Sequence, residues 1–212
     1  MSHWVEYFRK NPPFEGSLLF SESLAKHTYF KIGAPADLIA VPKSQADLLL
    51  LHRRIAADKI PFFILGLGSN LLAPDSPSEM LFIKTTQLGL NVEEVNQHIR
   101  TGAGVTVASF LRKAAASGWD GFEFMSGIPG TIGGVVAMNG GTHLGEAASA
   151  LESVTVFSLS SGVSRTLTRK ELTFSYRKNH FLKPGDIITD ALWKMSAGDP
   201  KDIRQKLDSL YR

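Results

Sequence analysis

Gly66-Leu67-Gly68-Ser69-Asn70-Leu71-Leu72 and Gly127-Ile128-Pro129-Gly130-Thr131-Ile132-Gly133-Gly134 are the two stretches on which the fold turns. The first follows Pro61-Phe62-Phe63-Ile64-Leu65, a buried-strand candidate that runs straight into glycine. Glycine lets the backbone reach positive φ and lets a ligand approach main-chain N–H groups. Successive N–H groups in such a turn make a concavity suited to an anion. Ser69 and Asn70 add side-chain hydrogen bonds, although an ordinary strand-ending turn would use the same letters. The second stretch continues to Asn139-Gly140-Gly141 and Gly145-Glu146, which places seven glycines in one span. Each costs roughly 1 kcal/mol inside a regular element, so a helix or plain strand is not expected there. The segment reads as backbone folded around something flat or phosphorylated, or as a collapsed cluster of turns.

Standard nucleotide motifs do not fit. A G-x-G-x-x-G fingerprint would need glycine at position 71, where Leu71 stands. No G-x-x-x-x-G-K-[ST] occurs, which excludes a P-loop kinase or GTPase.

Working outward, residues 1–20 read as a short amphipathic helix (Trp4, Phe8) and a Pro-rich connector. Residues 21–80 have a β–α–β rhythm. Ala36 to Val41 is strand-like until Pro42, Ser44 with Asp47 makes a capping-box variant, and Leu48, Leu51 and Ile55 repeat at helical spacing. Residues 81–198 form a third region. It contains strands at Met80 to Lys84 and His98 to Thr101, then a helix through Val107, Phe110, Leu111 and Ala114 that Gly118 terminates. Leu151 to Phe157 and Val163 to Leu167 read as a hairpin around Ser160-Ser161-Gly162. Thr168 with Glu171 is a capping box for a very short helix, and Ile187 to Met195 a closing strand. In residues 199–212, Asp199 is an N-cap and Pro200 the first helical residue. Ile203, Leu207 and Leu210 make an apolar stripe with nothing after it in sequence to cover it.

Composition narrows the class. The chain carries 23 Lys+Arg against 20 Asp+Glu, a net +3, but no basic run of five or more, so a nucleic-acid surface is not expected. It has no cysteine, which excludes disulfides and thiolate metal sites; no metal site is expected. No apolar run approaches a membrane span, and the N-terminus lacks a signal-peptide core. A protein of the cytoplasm, without a membrane, is the expectation.

The motifs taken together are specific. Gly66-x-Gly68-Ser69-Asn70-Leu71-Leu72 is followed some sixty residues later by Gly127-Ile128-Pro129-Gly130-Thr131-x-Gly133-Gly134 and Asn139-x-Gly141. With His27-Thr28-Tyr29-Phe30-Lys31-Ile32-Gly33, Gly102-Ala103-Gly104 and Phe174-Ser175-Tyr176-Arg177 in order around them, the chain from about residue 21 onward resembles the UDP-N-acetylenolpyruvoylglucosamine reductase family. That resemblance implies an α+β chain with the vanillyl-alcohol-oxidase type of FAD-binding fold, in which two α+β subdomains (21–80 and 81–198) hold non-covalent FAD. Gly66, Gly68, Ser69, Asn70 and Leu71, with Gly127, Ile128 and Pro129, would wrap its pyrophosphate and ribityl chain. Gly133, Gly134, Asn139 and Gly141 would lie along the cofactor, and Ile187 or Ile188 would approach the flavin ring.

The implied reaction uses NADPH to reduce UDP-N-acetylglucosamine-enolpyruvate to UDP-N-acetylmuramate in peptidoglycan synthesis. Arg177 matches the family's catalytic arginine, and a guanidinium beside the substrate carboxylate suits the charge that builds there. Tyr176 either lines the substrate side or packs in the core. His143 departs from the family's A-Y-G pattern and reads as a loop residue. The family's proton-donating serine motif and late glutamate have no counterpart in these 212 residues. A third, substrate-binding domain or a partner chain covering the last helix is therefore expected, and turnover is expected to be poor without it. A non-catalytic flavin-binding or assembly module of the same fold remains the alternative, and an oxidase acting on another sugar or alcohol the third reading.

Overall fold

The computed structural model describes residues 3–10 and 12–210, in two compact units. The first comprises residues 1–88, 157–164 and 184–187; the second comprises 89–156, 165–183 and 188–212. The boundary therefore falls eight positions beyond the expected residue 80. The reason is β4 (Ser78–Lys84), which pairs in parallel with both β2 (Pro35–Val41) and β3 (Phe62–Leu65) and cannot leave their sheet.

In the first unit, β1 (Ser17–Ser23) lies antiparallel to β2, and the sheet order is β1-β2-β4-β3. That order makes β3 an edge strand. Of its four residues only Leu65 is buried and Phe63 is exposed, which corrects the expectation of a buried strand. Helix α1 (His3–Arg9) buries Trp4 and Phe8 in the same core as Leu48, Leu51 and Ile55 of α2 (Gln45–Asp58). Ser44 caps α2 by accepting from the Asp47 amide. The Asp47 carboxylate does not reach back to Ser44, as a capping box would require; it takes the amides of Glu15, Gly16 and Lys43.

The larger sheet runs β11-β10-β14-β6-β5. Its strands are β5 (Val92–Val95), β6 (His98–Gly102), β10 (Leu151–Ser158), β11 (Ser164–Thr168) and β14 (Asp186–Lys194). The strand expected to close the sheet, β14, sits in its middle, antiparallel to β6. Helix α3 (Val107–Ser117) is capped by Thr106 and ends at Gly118 with φ 74°. Two-residue strands β7 (Trp119–Asp120), β8 (Gly141–Thr142), β9 (Gly145–Glu146), β12 (Phe174–Ser175), β13 (Lys178–Asn179) and β15 (Ser196–Ala197) form three pairs. β8 with β9 and β12 with β13 are local hairpins, and β7 pairs with the distant β15. α4 (Ile132–Ala137) and α5 (Ala147–Ala150) are short helices of the same unit.

The helix expected after Thr168 does not form. The Glu171 carboxylate accepts from both the amide and the hydroxyl of Thr168, and that turn is complete without a helix behind it. At the other end of the unit, α6 (Pro200–Ser209) buries Ile203 and Leu207 in the core that contains Phe110 and Leu111 of α3. Two of the three residues of its apolar stripe, Ile203 and Leu207, are thus covered by this chain, and Leu210 is exposed. Lys206 fastens the same helix through Asp120 at 3.0 Å and Glu123 at 3.5 Å.

Candidate functional site

In the first unit the Gly66–Leu72 loop leaves the C-terminal end of β3, beside the equivalent end of β4, where parallel sheets present ligand sites. Gly68 has φ 77°, and a Cβ there would lie 2.0 Å from the carbonyl oxygen of His27. The amide of Tyr29 donates to the Gly68 carbonyl at 3.0 Å. Glycine at 68 is thus required by the close approach of the His27–Tyr29 segment. The amides of Leu67, Gly68 and Ser69 donate to no described residue, which leaves a group of N–H donors of the kind that binds anions. Around them Tyr29 (65% exposed), Phe30 (58%) and Leu72 (73%) present apolar surface. Leu71 instead turns into a small core with Leu24, Phe82 and Ala73.

The second glycine stretch is more regular than its sequence implies. Thr131 accepts from the Gly134 amide and starts α4 (Ile132–Ala137), so Gly133 and Gly134 stand in a helix after all. Packing explains this exception. The Gly133 amide donates to the Ala103 carbonyl at 2.9 Å, and a Cβ at 133 would come within 3.0 Å of the Ala103 methyl. A Cβ at Gly134 would meet only the Thr131 hydroxyl at 3.6 Å. Gly141 is likewise explained inside the chain, since its Cβ would lie 2.2 Å from the Gly145 carbonyl in the β8–β9 pair. Gly127 differs from these. It is exposed, with φ 76°, and a Cβ there would meet nothing within 4 Å. Pro129 beside it is exposed and Ile128 half-buried. The preceding residue, Ser126, buries a hydroxyl that has no hydrogen-bond partner among the described residues.

Asn139, at φ 45° and almost wholly buried, uses its side chain within the unit. Its Nδ2 donates to the Ser175 carbonyl at 3.2 Å, and its Oδ1 accepts from the Ala148 amide at 3.0 Å. Asn179 repeats the device by donating to the Ala137 carbonyl at 2.7 Å. These two asparagines dock the β12–β13 hairpin on the end of α4. At the hairpin tip Arg177 has φ 55° and is exposed, its guanidinium 5.9 Å from the Tyr176 ring. Tyr176 is 87% exposed, which removes the core reading of that residue. His143 is exposed in the turn between β8 and β9. Ile187 and Ile188 are both buried, each in the core of its own unit. Any role at a ligand would fall to their backbone.

Residues 36–167 match the family model described as an FAD binding domain. Over 212 residues the chain is 30% identical to UDP-N-acetylenolpyruvoylglucosamine reductase of Clostridium perfringens, covering 99% of this chain and 69% of that one. The chain belongs to the UDP-N-acetylenolpyruvoylglucosamine reductase family. A member of that family from Clostridium tetani is 35% identical over 90% of this chain, and the chain spans 61% of that protein's length. Among solved structures, the reductase from Thermus caldophilus superposes with a TM-score of 0.76 at 30% identity, over 93% of this chain and 68% of that one. The likeness to 6-hydroxy-D-nicotine oxidase of Arthrobacter nicotinovorans, with a TM-score of 0.66 at 14% identity over 88% of this chain and 44% of that one, concerns the fold alone. The fold is accordingly the α+β, vanillyl-alcohol-oxidase type expected of a reductase in this family.

FAD is the group this family implies, and the residues present fit it. Free amides at Leu67, Gly68 and Ser69 suit a diphosphate, and the exposed apolar side chains beside them suit a flat ring. The unpartnered Ser126 hydroxyl beside open Gly127 is a donor set against a segment with room for a ligand.

Two features, one in each unit, were not legible in the sequence. Ser126 was one, because its burial is fixed by the Glu123–Met125 turn. The other is the contact of His27 with Lys84, which are 57 positions apart.

Proposed function

We propose that this chain is the FAD-holding part of an NADPH-dependent reductase that converts UDP-N-acetylglucosamine-enolpyruvate to UDP-N-acetylmuramate for peptidoglycan synthesis in the cytoplasm. The observation that carries the reading is the hairpin that presents Arg177 at an exposed positive-φ turn, within a chain 30% identical along its whole length to such a reductase. When bound, FAD would supply hydride-transfer chemistry between NADPH and the enolpyruvyl double bond.

The chain's own residues then have distinct tasks. In the first unit the amides of the Gly66–Leu71 loop would hold the cofactor's diphosphate, and Ile187 would contribute its backbone. In the second unit the segment from Gly127 to Pro129 would hold the cofactor's chain, Gly134 would leave room for it at α4, and Gly133, Asn139 and Gly141 fix the backbone there. Arg177 pairs with the substrate carboxylate, where charge builds as the double bond is reduced, and a preorganised cation lowers that barrier. Tyr176 lines the substrate beside it.

The test is anaerobic. The purified chain should carry a flavin spectrum and bleach with NADPH, and it should regain colour only slowly with the enolpyruvyl substrate, because these residues hold no counterpart of the family's proton-donating serine motif. A protein that binds FAD but is not bleached by NADPH would instead favour a flavin-binding module of the same fold.

A further inference from the structure

Beside the first glycine loop stands a set of charges for which the loop itself has no use. Lys84 is the last residue of β4 and pairs in register with Leu65, the residue just before Gly66. Its ammonium donates to Nδ1 of His27 at 2.9 Å, and His27 Nε2 lies 3.2 Å from a Glu22 carboxylate oxygen. An imidazole that accepts at Nδ1 carries its proton on Nε2, so the three groups form an ordered chain from ammonium through neutral ring to carboxylate. His27 is also the residue whose carbonyl packs against Gly68. The His27 ring therefore fixes Lys84 to the segment that is laced to the loop.

The charges do not balance. Glu22 already has Lys26 at 3.3 Å, and no described carboxylate lies within ion-pair distance of Lys84. Lys31, on the same excursion as His27, is near enough to act on Lys84 electrostatically. Burial, and then Lys31, hold the Lys84 ammonium below its usual range. A half-buried cation without a carboxylate is costly unless an anion repays it.

We propose that Lys84, positioned by His27 and Glu22, binds the diphosphate of the dinucleotide at this loop, with Lys31 as a second, outer cation. The proposal rests on the reading of the chain as an FAD protein. It adds two ligand-binding cations to a loop that otherwise offers only backbone and small polar side chains.

The experiment measures FAD affinity by quenching of flavin fluorescence, with ADP and adenosine as competitors, and records unfolding of each variant without ligand. In the wild-type chain ADP should displace FAD and adenosine should compete far less. Lys84→Met keeps the side chain's length and should weaken FAD about tenfold to a hundredfold, the worth of a charge-assisted hydrogen bond. It should also remove the advantage of ADP over adenosine, and Lys84→Arg should restore much of it. Lys31→Met, at an exposed position, should cost about two- to fivefold and serves if Lys84→Met does not fold. Equal competition by adenosine and ADP, or FAD binding unchanged in Lys84→Met, would overturn the proposal while leaving the flavin reading intact. A wild-type chain that binds no FAD would remove both.

Discussion

The side-chain amide of Asn139 donates to the backbone carbonyl of Ser175 across 3.2 Å, joining the end of α4 to the hairpin whose tip is Tyr176-Arg177. The Ala148 amide, donating to Asn139 Oδ1 at 3.0 Å, orients the side chain for this bond. Asn139→Asp keeps the acceptor for Ala148 and replaces the donor by an oxygen facing the Ser175 carbonyl. We expect a loss of about 1–3 kcal/mol in global stability. Amide exchange should accelerate most at Lys178 and Asn179. Uniform acceleration across the whole chain would show that the bond serves the fold generally and not the hairpin.

Gly68 and Gly134 should fail in different ways. Gly68→Ala would place a methyl group 2.0 Å from the His27 carbonyl at a φ of 77°, so the loop must rearrange, and the melting temperature of the ligand-free chain should fall along with FAD binding. Gly134→Ala meets nothing closer than 3.6 Å, and in a helix alanine is the better residue. We expect Gly134→Ala to leave the ligand-free melting temperature unchanged or raised, and FAD affinity to fall at least about tenfold, the worth of a lost close approach of roughly 1.4 kcal/mol. Undiminished FAD affinity in Gly134→Ala would remove α4 from the site.

Arg177→Ala separates binding from chemistry. The guanidinium is exposed at a hairpin tip and lies within no ion pair among the described residues, so stability should change by less than about 0.5 kcal/mol. FAD affinity and bleaching by NADPH should also be unchanged. Reoxidation of reduced protein by the enolpyruvyl substrate should slow by about a hundredfold or more, typical for removal of a preorganised charge at a reacting group. Stopped-flow absorbance of the two half-reactions decides it. Equal slowing of both would place Arg177 at the cofactor, away from the substrate.

What could be read in the sequence was local. Ser44 and Asp199 cap helices where expected, and Gly118 ends α3, because a cap is decided by residues within one turn of one another. Sheet order was not legible. That β4 lies between β2 and β3, or that β14 sits at the centre of its sheet, depends on pairings across tens of residues that leave no spacing signature. The glycine segments marked the first loop as unusual backbone, but they showed neither the helix α4 within the second nor which glycines answer to the chain itself. Gly68, Gly133 and Gly141 are demanded by His27, Ala103 and Gly145, whose proximity is tertiary. The burial of Ile203 and Leu207 on α6 was not legible for the same reason: their cover, α3, precedes them by about eighty residues.

Asp47 shows how much stability one such long-range contact holds. Its carboxylate is fully buried and accepts the amides of Glu15 at 2.7 Å, Gly16 at 3.0 Å and Lys43 at 2.8 Å. It thus ties the connector after α1 to the start of α2. Asp47→Ala strands three donors, and at about 1–3 kcal/mol for each one left unsatisfied, a loss of at least about 3 kcal/mol is expected. Asp47→Asn, with one good acceptor oxygen, should fall between. Urea denaturation gives the comparison, and a loss below about 1 kcal/mol for Asp47→Ala would mean that water reaches these amides.

His27 makes stability depend on pH in a direction fixed by its neighbours. Burial is the largest influence and the Lys84 ammonium the next, and both hold the ring below its ordinary value of 6.5; Glu22 opposes them only in part. Lys26 also faces it as a cation, and Lys31 acts through Lys84. A histidine whose folded value is depressed is protonated first in the unfolded chain. Its contribution is therefore complete above the ordinary value of 6.5 and is lost progressively as the pH falls through and below it towards the folded value. Protonation would also set two donors against each other where Lys84 now donates to Nδ1. We expect the wild-type chain to lose stability between about pH 7.5 and about pH 5.5, on either side of the ordinary histidine value, more steeply than His27→Gln. Glutamine still offers Lys84 an acceptor but takes up no proton. Urea midpoints of both proteins at the two pH values measure the difference, and parallel slopes would show that the ring titrates alike in the folded and unfolded chains.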